Sequence, residues 1–260
     1  MNTSIQKSFI ILIAVFLITP LCVVKKANAE MLEDFSNFSG SKFSDSYWKS
    51  RNGNPSSIYS FVKEGDNTYL EARTVSNSVQ LFRKKGWNIK QNPILSWKWR
   101  VREFPSNAPS APSWGAKADN PVAIYVVFPA RWFMPETIKY VWNSDYEKDR
   151  IVRKKDNFPA IVIRSGKNKM GEWVTEERNV FEDYKKLFGR NPPNPVAFGF
   201  LSDSDDSKSK SLGDYDDFKV LSQPTPVVEP KVEKPAIKPV EPKKSTPAII
   251  KPAETKIEKK

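Results

Sequence analysis

The stretch Ile94-Leu-Ser-Trp-Lys-Trp-Arg-Val101 decides how the chain folds. Leu95, Trp97, Trp99 and Val101 alternate with Ser96, Lys98 and Arg100, the period of two that marks a strand with one buried and one wet face. Both indoles share a face with Leu95 and Val101, so they read as core and only secondarily as a platform for sugar rings or bases. Similar runs lie on either side: Tyr69–Val75, Ser78–Arg83, Val122–Phe128, Thr137–Trp142, Ala160–Arg164, Trp173–Val180, Val196–Leu201 and Asp217–Leu221. One helix fits, Phe181–Phe188, with Asn179 as its cap and Gly189 followed by Asn191-Pro192-Pro193 as its stop. Many strands, one helix and no strand–helix alternation predict an all-β fold, an antiparallel β-sandwich of jelly-roll type with a short helix near 181–188.

Outward from this core, both ends change character. Residues 1–29 read as a secretory signal: Lys7, an apolar run Phe9–Val24 interrupted by Thr19 and Pro20, then Ala27-Asn28-Ala29 as a small-x-small cleavage site. The run is shorter than the roughly 20 residues that cross a bilayer comfortably. Lys25 and Lys26, which follow it directly, leave an uncleaved membrane anchor as the alternative. Leu21 is too bulky before Cys22 for lipoprotein processing. Residues 223–260 are dominated by Pro, Lys, Glu, Val and Ala without an aromatic residue, a composition that cannot offset chain entropy by burial. They read as a disordered tail, either a plain tether or a loose contact with anionic envelope polymers. Residues 30–222 remain as one domain, expected in the periplasm or secreted.

Composition excludes much chemistry. Cys22 is the only cysteine and the chain holds no histidine, so a protein released after Ala29 has neither. That rules out disulfides, Cys or His nucleophiles, a Ser-His-Asp triad and zinc, copper or haem sites built on thiolate or imidazole. No cofactor is expected beyond a hard cation such as structural calcium, held by carboxylates and carbonyls. Loss of Lys7, Lys25 and Lys26 lowers the formal charge from +12 to +9. Outside the cytoplasm this surplus suits a glycan, an anionic envelope polymer or a membrane surface, and not a specific nucleic acid. Much of it is equally explained as solvated lysine.

The segments ILSWKWRV, DNPVAIYVVF, IKYVW, GEWVTEERNVFEDYKKLFG, FLSDSDD and DYDDFKV, in this order, resemble an uncharacterised family of exported bacterial proteins classed as a domain of unknown function. The resemblance runs from about Leu32 to Leu221 and implies export and a β-rich fold, with no established activity. The Pro-Ser-Ala insertion between Phe104 and Asp119 departs from it. More loosely, Glu33-Asp34-Phe35 and Tyr215–Val220 are similar to the terminal strands of jelly-roll carbohydrate-binding modules, where acidic residues often hold calcium.

Candidate sites follow from residue type. Asp203, Asp205 and Asp206, with Asp217 further on, place carboxylates near the last turn and suit calcium, although their spacing is not that of an EF-hand. A solvated turn explains them as well. Trp114 and Trp132, the latter beside Arg131, lie in loop-like sequence, as Trp87 does; exposed indoles there would stack on sugar faces or else roof the core. Arg178, near Glu176, Glu177 and Asp183, would anchor an acidic ligand or pin the helix to the sheet. Asp119 with Asp203 could serve as a glycosidase acid and base, if their separation allowed. The readings are a non-catalytic binding protein for a glycan or envelope component, a glycosidase or polysaccharide lyase on the same scaffold, or a structural envelope protein without small ligand. N-terminal sequencing of the exported protein is expected to begin at Glu30; an intact Met1 would establish the anchored form.

Overall fold

Ile94–Glu103 forms the strand its alternation requires, here β6, and its Leu95, Trp97, Trp99 and Val101 side chains are fully buried. The computed structural model describes residues 28–43, 46–106, 119–131, 133–153 and 155–223. The signal up to residue 27, the tail from 224, Trp114, Trp132 and the side chain of Arg131 lie outside the described residues. No described helix is long and apolar enough to cross a membrane.

The other strands are β1 (Ala29–Glu33), β2 (Lys49–Ser50), β3 (Tyr59–Glu64), β4 (Asn67–Val75), β5 (Ser78–Arg83), β7 (Val122–Arg131) and β8 (Met134–Asn143). They are followed by β9 (Ile151–Arg153), β10 (Pro159–Ser165), β11 (Val174–Asn179), β12 (Ala197–Asp203) and β13 (Lys210–Leu221). The first sheet has the order β11-β6-β13-β4-β3, and β1 pairs with the end of β13 that β4 leaves free. The second has the order β2-β5-β12-β7-β8-β10-β9.

The expected sandwich is therefore present, with one departure from pure antiparallel pairing. Strand β10 inserts between β8 and β9 and runs parallel to β8, because the three-residue β9 carries the chain back along the edge. A second difference concerns β1, which begins at Ala29 with Ala29 opposite Leu221. The main chains of Asn28 and Ser222 extend this contact, so the ladder reaches past the expected cleavage point.

The core lies between the sheets. Trp97 stacks on Tyr140 at 5.6 Å between ring centres, and Trp99 meets Trp142 at 6.0 Å. Phe198 and Phe200 from β12 pack on Phe218 from β13. Trp87, expected as a loop ligand, is only 5% exposed and belongs to this core. Helix α1 (Val180–Phe188) buries Val180, Asp183, Tyr184 and Leu187, the spacing of one helical face. Asn179 caps it by accepting from the Glu182 N–H, and Gly189 ends it at φ 71°, a left-handed conformation glycine adopts without strain. Replacing a buried indole leaves a cavity the sheets cannot close, so Trp97→Ala is expected to cost about 3–5 kcal/mol in urea unfolding.

Candidate functional site

The inward set of the second sheet determines what its other face carries. Ile124, Val126 and Phe128 of β7 and Ile138, Tyr140 and Trp142 of β8 join the core. Period two then turns Tyr125, Val127, Thr137 and Lys139 outward. Register aligns the outward residues into rows across the strands: Phe82 faces Gly199, Gly199 faces Tyr125, and Tyr125 faces Lys139. Gly199 is required there, since a Cβ would lie 2.8 Å from the Phe82 ring and 2.0 Å from the Leu81 carbonyl oxygen.

Phe82, Tyr125 and Phe158 form an aromatic run on this face, with ring centres 6.0 Å and then 5.4 Å apart. Tyr125 is buried between the half-buried Phe82 and Phe158, and burial pushes its hydroxyl well above the usual phenol range. The buried Lys139 ammonium lies 5.8 Å from the Tyr125 ring centre. Above the run is a groove of about 860 Å³, lined among others by Arg51, Gln80, Phe82, Val127, Thr137, Lys155, Phe158 and Val196. Its size falls within the roughly 300–1,000 Å³ of small-molecule sites. Its surface is apolar with a few polar groups at the sides, which suits an extended amphipathic ligand.

The acidic turn lies at the end of β12. Carboxylate oxygens of Asp119, Asp203 and Asp205 come within 4.8 Å of one another and could supply oxygen ligands to one hard cation. Asp119, buried, accepts from the Asp206 and Ser207 main-chain N–H groups and clasps the turn, while Asp203 accepts from the Asn120 N–H. Asp206 is exposed in the turn itself. Of the set expected to hold calcium, Asp203 and Asp205 therefore meet, joined by Asp119. Asp217 stands apart: β13 begins at Lys210, and Asp217 is a bulge residue at φ 51° whose carboxylate pairs with Lys98 at 2.6 Å. Both oxygens of Asp119 are occupied by main-chain donors, which suits a clasp better than a glycosidase base.

The remaining residues singled out by sequence act within the fold. Arg178 forms a two-pronged pair with Asp183 at 2.6 and 3.0 Å, and Asp183 also accepts from Tyr140, so the trio ties α1 to β11 and β8. Glu176 accepts from Arg164 and from the Trp99 indole. Sequence reading passed over Phe82, Gln80 and Phe158 as site residues. Gln80 and Phe82 signalled only an amide and an aromatic at outward positions of β5, and Phe158 only an aromatic just before β10, so they become a site only once the second sheet brings them together.

The chain belongs to the family described as "Protein of unknown function (DUF3047)", matched over residues 46–219, about two thirds of its length. No curated protein matches it. Among solved structures it is similar to the family 11 carbohydrate-binding module of the cellulase Lic26A-Cel5E of Clostridium thermocellum. That likeness has 11% identity, a TM-score of 0.40, and covers 76% of this chain and 97% of the module. It is also similar to the mannan-recognising module TmCBM27, at 11% identity and a TM-score of 0.32, over 76% of this chain and 99% of that one. A third is the glycoside hydrolase domain of Endo-D from Streptococcus pneumoniae R6, at 7% identity and a TM-score of 0.31, covering 66% of this chain and 21% of that one. Likenesses this remote do not extend to a ligand.

Burial pushes the Asp203 carboxyl up to about 7, against the opposing effects of Lys139 and the Asn120 N–H, while Asp119 and Asp205 raise it further. The folded protein thus binds this proton more tightly than the unfolded chain, whose carboxyl titrates near pH 4, and stability falls as pH rises from about 4 to about 7. In metal-free buffer, Asp203→Asn is expected to match the parent at pH 4 and exceed it by about 1–2 kcal/mol at pH 8 in thermal unfolding.

Proposed function

We propose that this domain is a non-catalytic binding module of the cell envelope, exported by the segment at 1–29, that holds a glycan or glycan-bearing component in the groove of the second sheet. The observation that carries this reading is the Phe82–Tyr125–Phe158 run beneath a groove of about 860 Å³. Sugar rings have apolar faces that pack on aromatic rings and hydroxyls that need partners at the sides. Gln80, Thr137 and Asn157 line the groove and supply such partners. Glycosidic cleavage by the usual route needs two carboxyl groups flanking the bond, and none of the described residues lining this groove carries a carboxylate.

Isothermal titration with peptidoglycan fragments, teichoic-type polymers and neutral polysaccharides tests the reading. Phe82→Ala and Phe158→Ala are each expected to weaken binding about 3- to 10-fold, the worth of one aromatic contact, without change in melting temperature beyond a few degrees. Binding unaffected by both substitutions would move the site elsewhere. Shortened products in the same mixtures would make the protein an enzyme.

A further inference from the structure

The groove has a charge pattern that narrows its ligand. Arg51 and Lys84 lie on the β2–β5 side and Lys155 beside β10, all three exposed. None of them forms an ion pair with a described residue. This contrasts with the outer face of the first sheet, where Lys98, Arg100 and Arg102 are matched to Asp217, Asp214 and Glu71. Between the groove's cations the floor is apolar, made by Phe82, Val127, Pro135, Phe158, Val196 and Ala197.

The apolar character continues to the surface. Met134 and Val196 line the groove and are 51% and 46% exposed, and Phe133, next to Met134, is 94% exposed. Of the seven exposed large apolar side chains among the described residues, two line this groove and a third adjoins one of them in the chain. An apolar floor that opens at the surface and is ringed by unopposed cations has lower free energy when a chain-bearing anion covers it. A neutral glycan would cover the floor with hydroxyls for which only Gln80, Thr137 and Asn157 offer uncharged side-chain partners.

From this pattern we infer that the groove takes an anionic amphiphile, its apolar chain on the Val127–Phe158 floor and its acidic head between Arg51, Lys84 and Lys155. The inference rests on the groove assigned in the binding reading above and changes its occupant from a plain glycan to a lipid or glycolipid type of component. A membrane lipid and a free acidic amphiphile share this chemistry.

The test uses purified full-length protein and titration calorimetry with monomeric n-dodecyl phosphate, n-dodecyl maltoside and soluble glycans. Dodecyl phosphate is expected to bind at least tenfold more tightly than the maltoside. The surface variant Lys84→Glu/Lys155→Glu should erase that preference, at about tenfold per charge-assisted contact. Val196→Glu, at an already exposed position, should abolish phosphate binding. Co-sedimentation with phosphatidylglycerol but not phosphatidylcholine vesicles, lost in the double variant, would identify a membrane lipid as the source. Monomer binding without vesicle binding would identify a free amphiphile. Equal binding of the phosphate and maltoside, unmoved by the double variant, overturns the inference. So does binding of soluble glycans alone, and if Val196→Glu removes that binding the groove reading stands. Binding of every probe unchanged by all variants, or no binding at all, overturns both.

Discussion

Two ring contacts across the sandwich, Trp97 on Tyr140 and Trp99 on Trp142, set the parity on which the other features depend. A strand cannot slip by one residue without exchanging its faces. With Trp97 and Trp99 inward, Lys98, Arg100 and Arg102 must point out from the first sheet. With Tyr140 and Trp142 inward, Thr137 and Lys139 must point out from the second, and the ladder to β7 carries Tyr125 and Val127 with them. The core contacts thereby decide which residues form the groove, although none of them touches it.

The two outer faces are completed in opposite ways. On the first sheet, Asp214 is fully buried between Arg100 and Arg102, and burial pushes its carboxyl up while the two guanidinium groups oppose that shift. Arg100 also lies over the Trp173 ring at 4.6 Å, which covers the cluster. Such a network is worth little as a net contribution to stability, but loss of one partner would strand a buried charge. Among the described residues that line the groove of the second sheet, none forms a comparable ion pair. Its cations stay at the rim and its floor is left apolar, an arrangement suited to a surface that a second molecule completes.

How much of this could be read in advance follows from the range of each interaction. Local patterns sufficed for β6, β7, β8 and the helix, because alternation at Ile94–Val101 and the Asn179 and Gly189 caps are written in consecutive residues. The edge strands β2, β3 and β9 were missed: β2 and β9 have two or three residues and carry no period, and β3 fully buries only Tyr59. Asp214, Asp216 and Asp217 lie inside β13, which begins at Lys210, well before the Asp217–Leu221 run that the sequence pattern picks out, because acidic residues are poor strand formers and mask a strand's start. Their place in β13 depends on Arg100, Arg102, Lys98 and Asn67, all more than a hundred residues away in the chain. Separation in the chain also hid the alignment of Phe82 with Tyr125, while Asp119 and Asp203 were paired only as an acid and base and not as members of one carboxylate cluster.

The polar layer beneath the groove has its own consequence for ligand charge. Lys139 is buried on the outer face near Tyr125, and it acts to hold the Asp203 carboxyl down against the larger effect of burial. With the Asp203 carboxyl up at about 7, near neutrality its charge is only partly present to balance that cation. Above that pH the two charges offset each other, and Arg51, Lys84 and Lys155 remain as the cations that line the groove. With Asp203 protonated that offset is lost, and the buried Lys139 ammonium keeps less opposing charge beneath the floor. The acidic turn at the end of β12 and the buried layer under the groove thus share one cation, Lys139 of β8, even though the turn's carboxylates do not line the cavity.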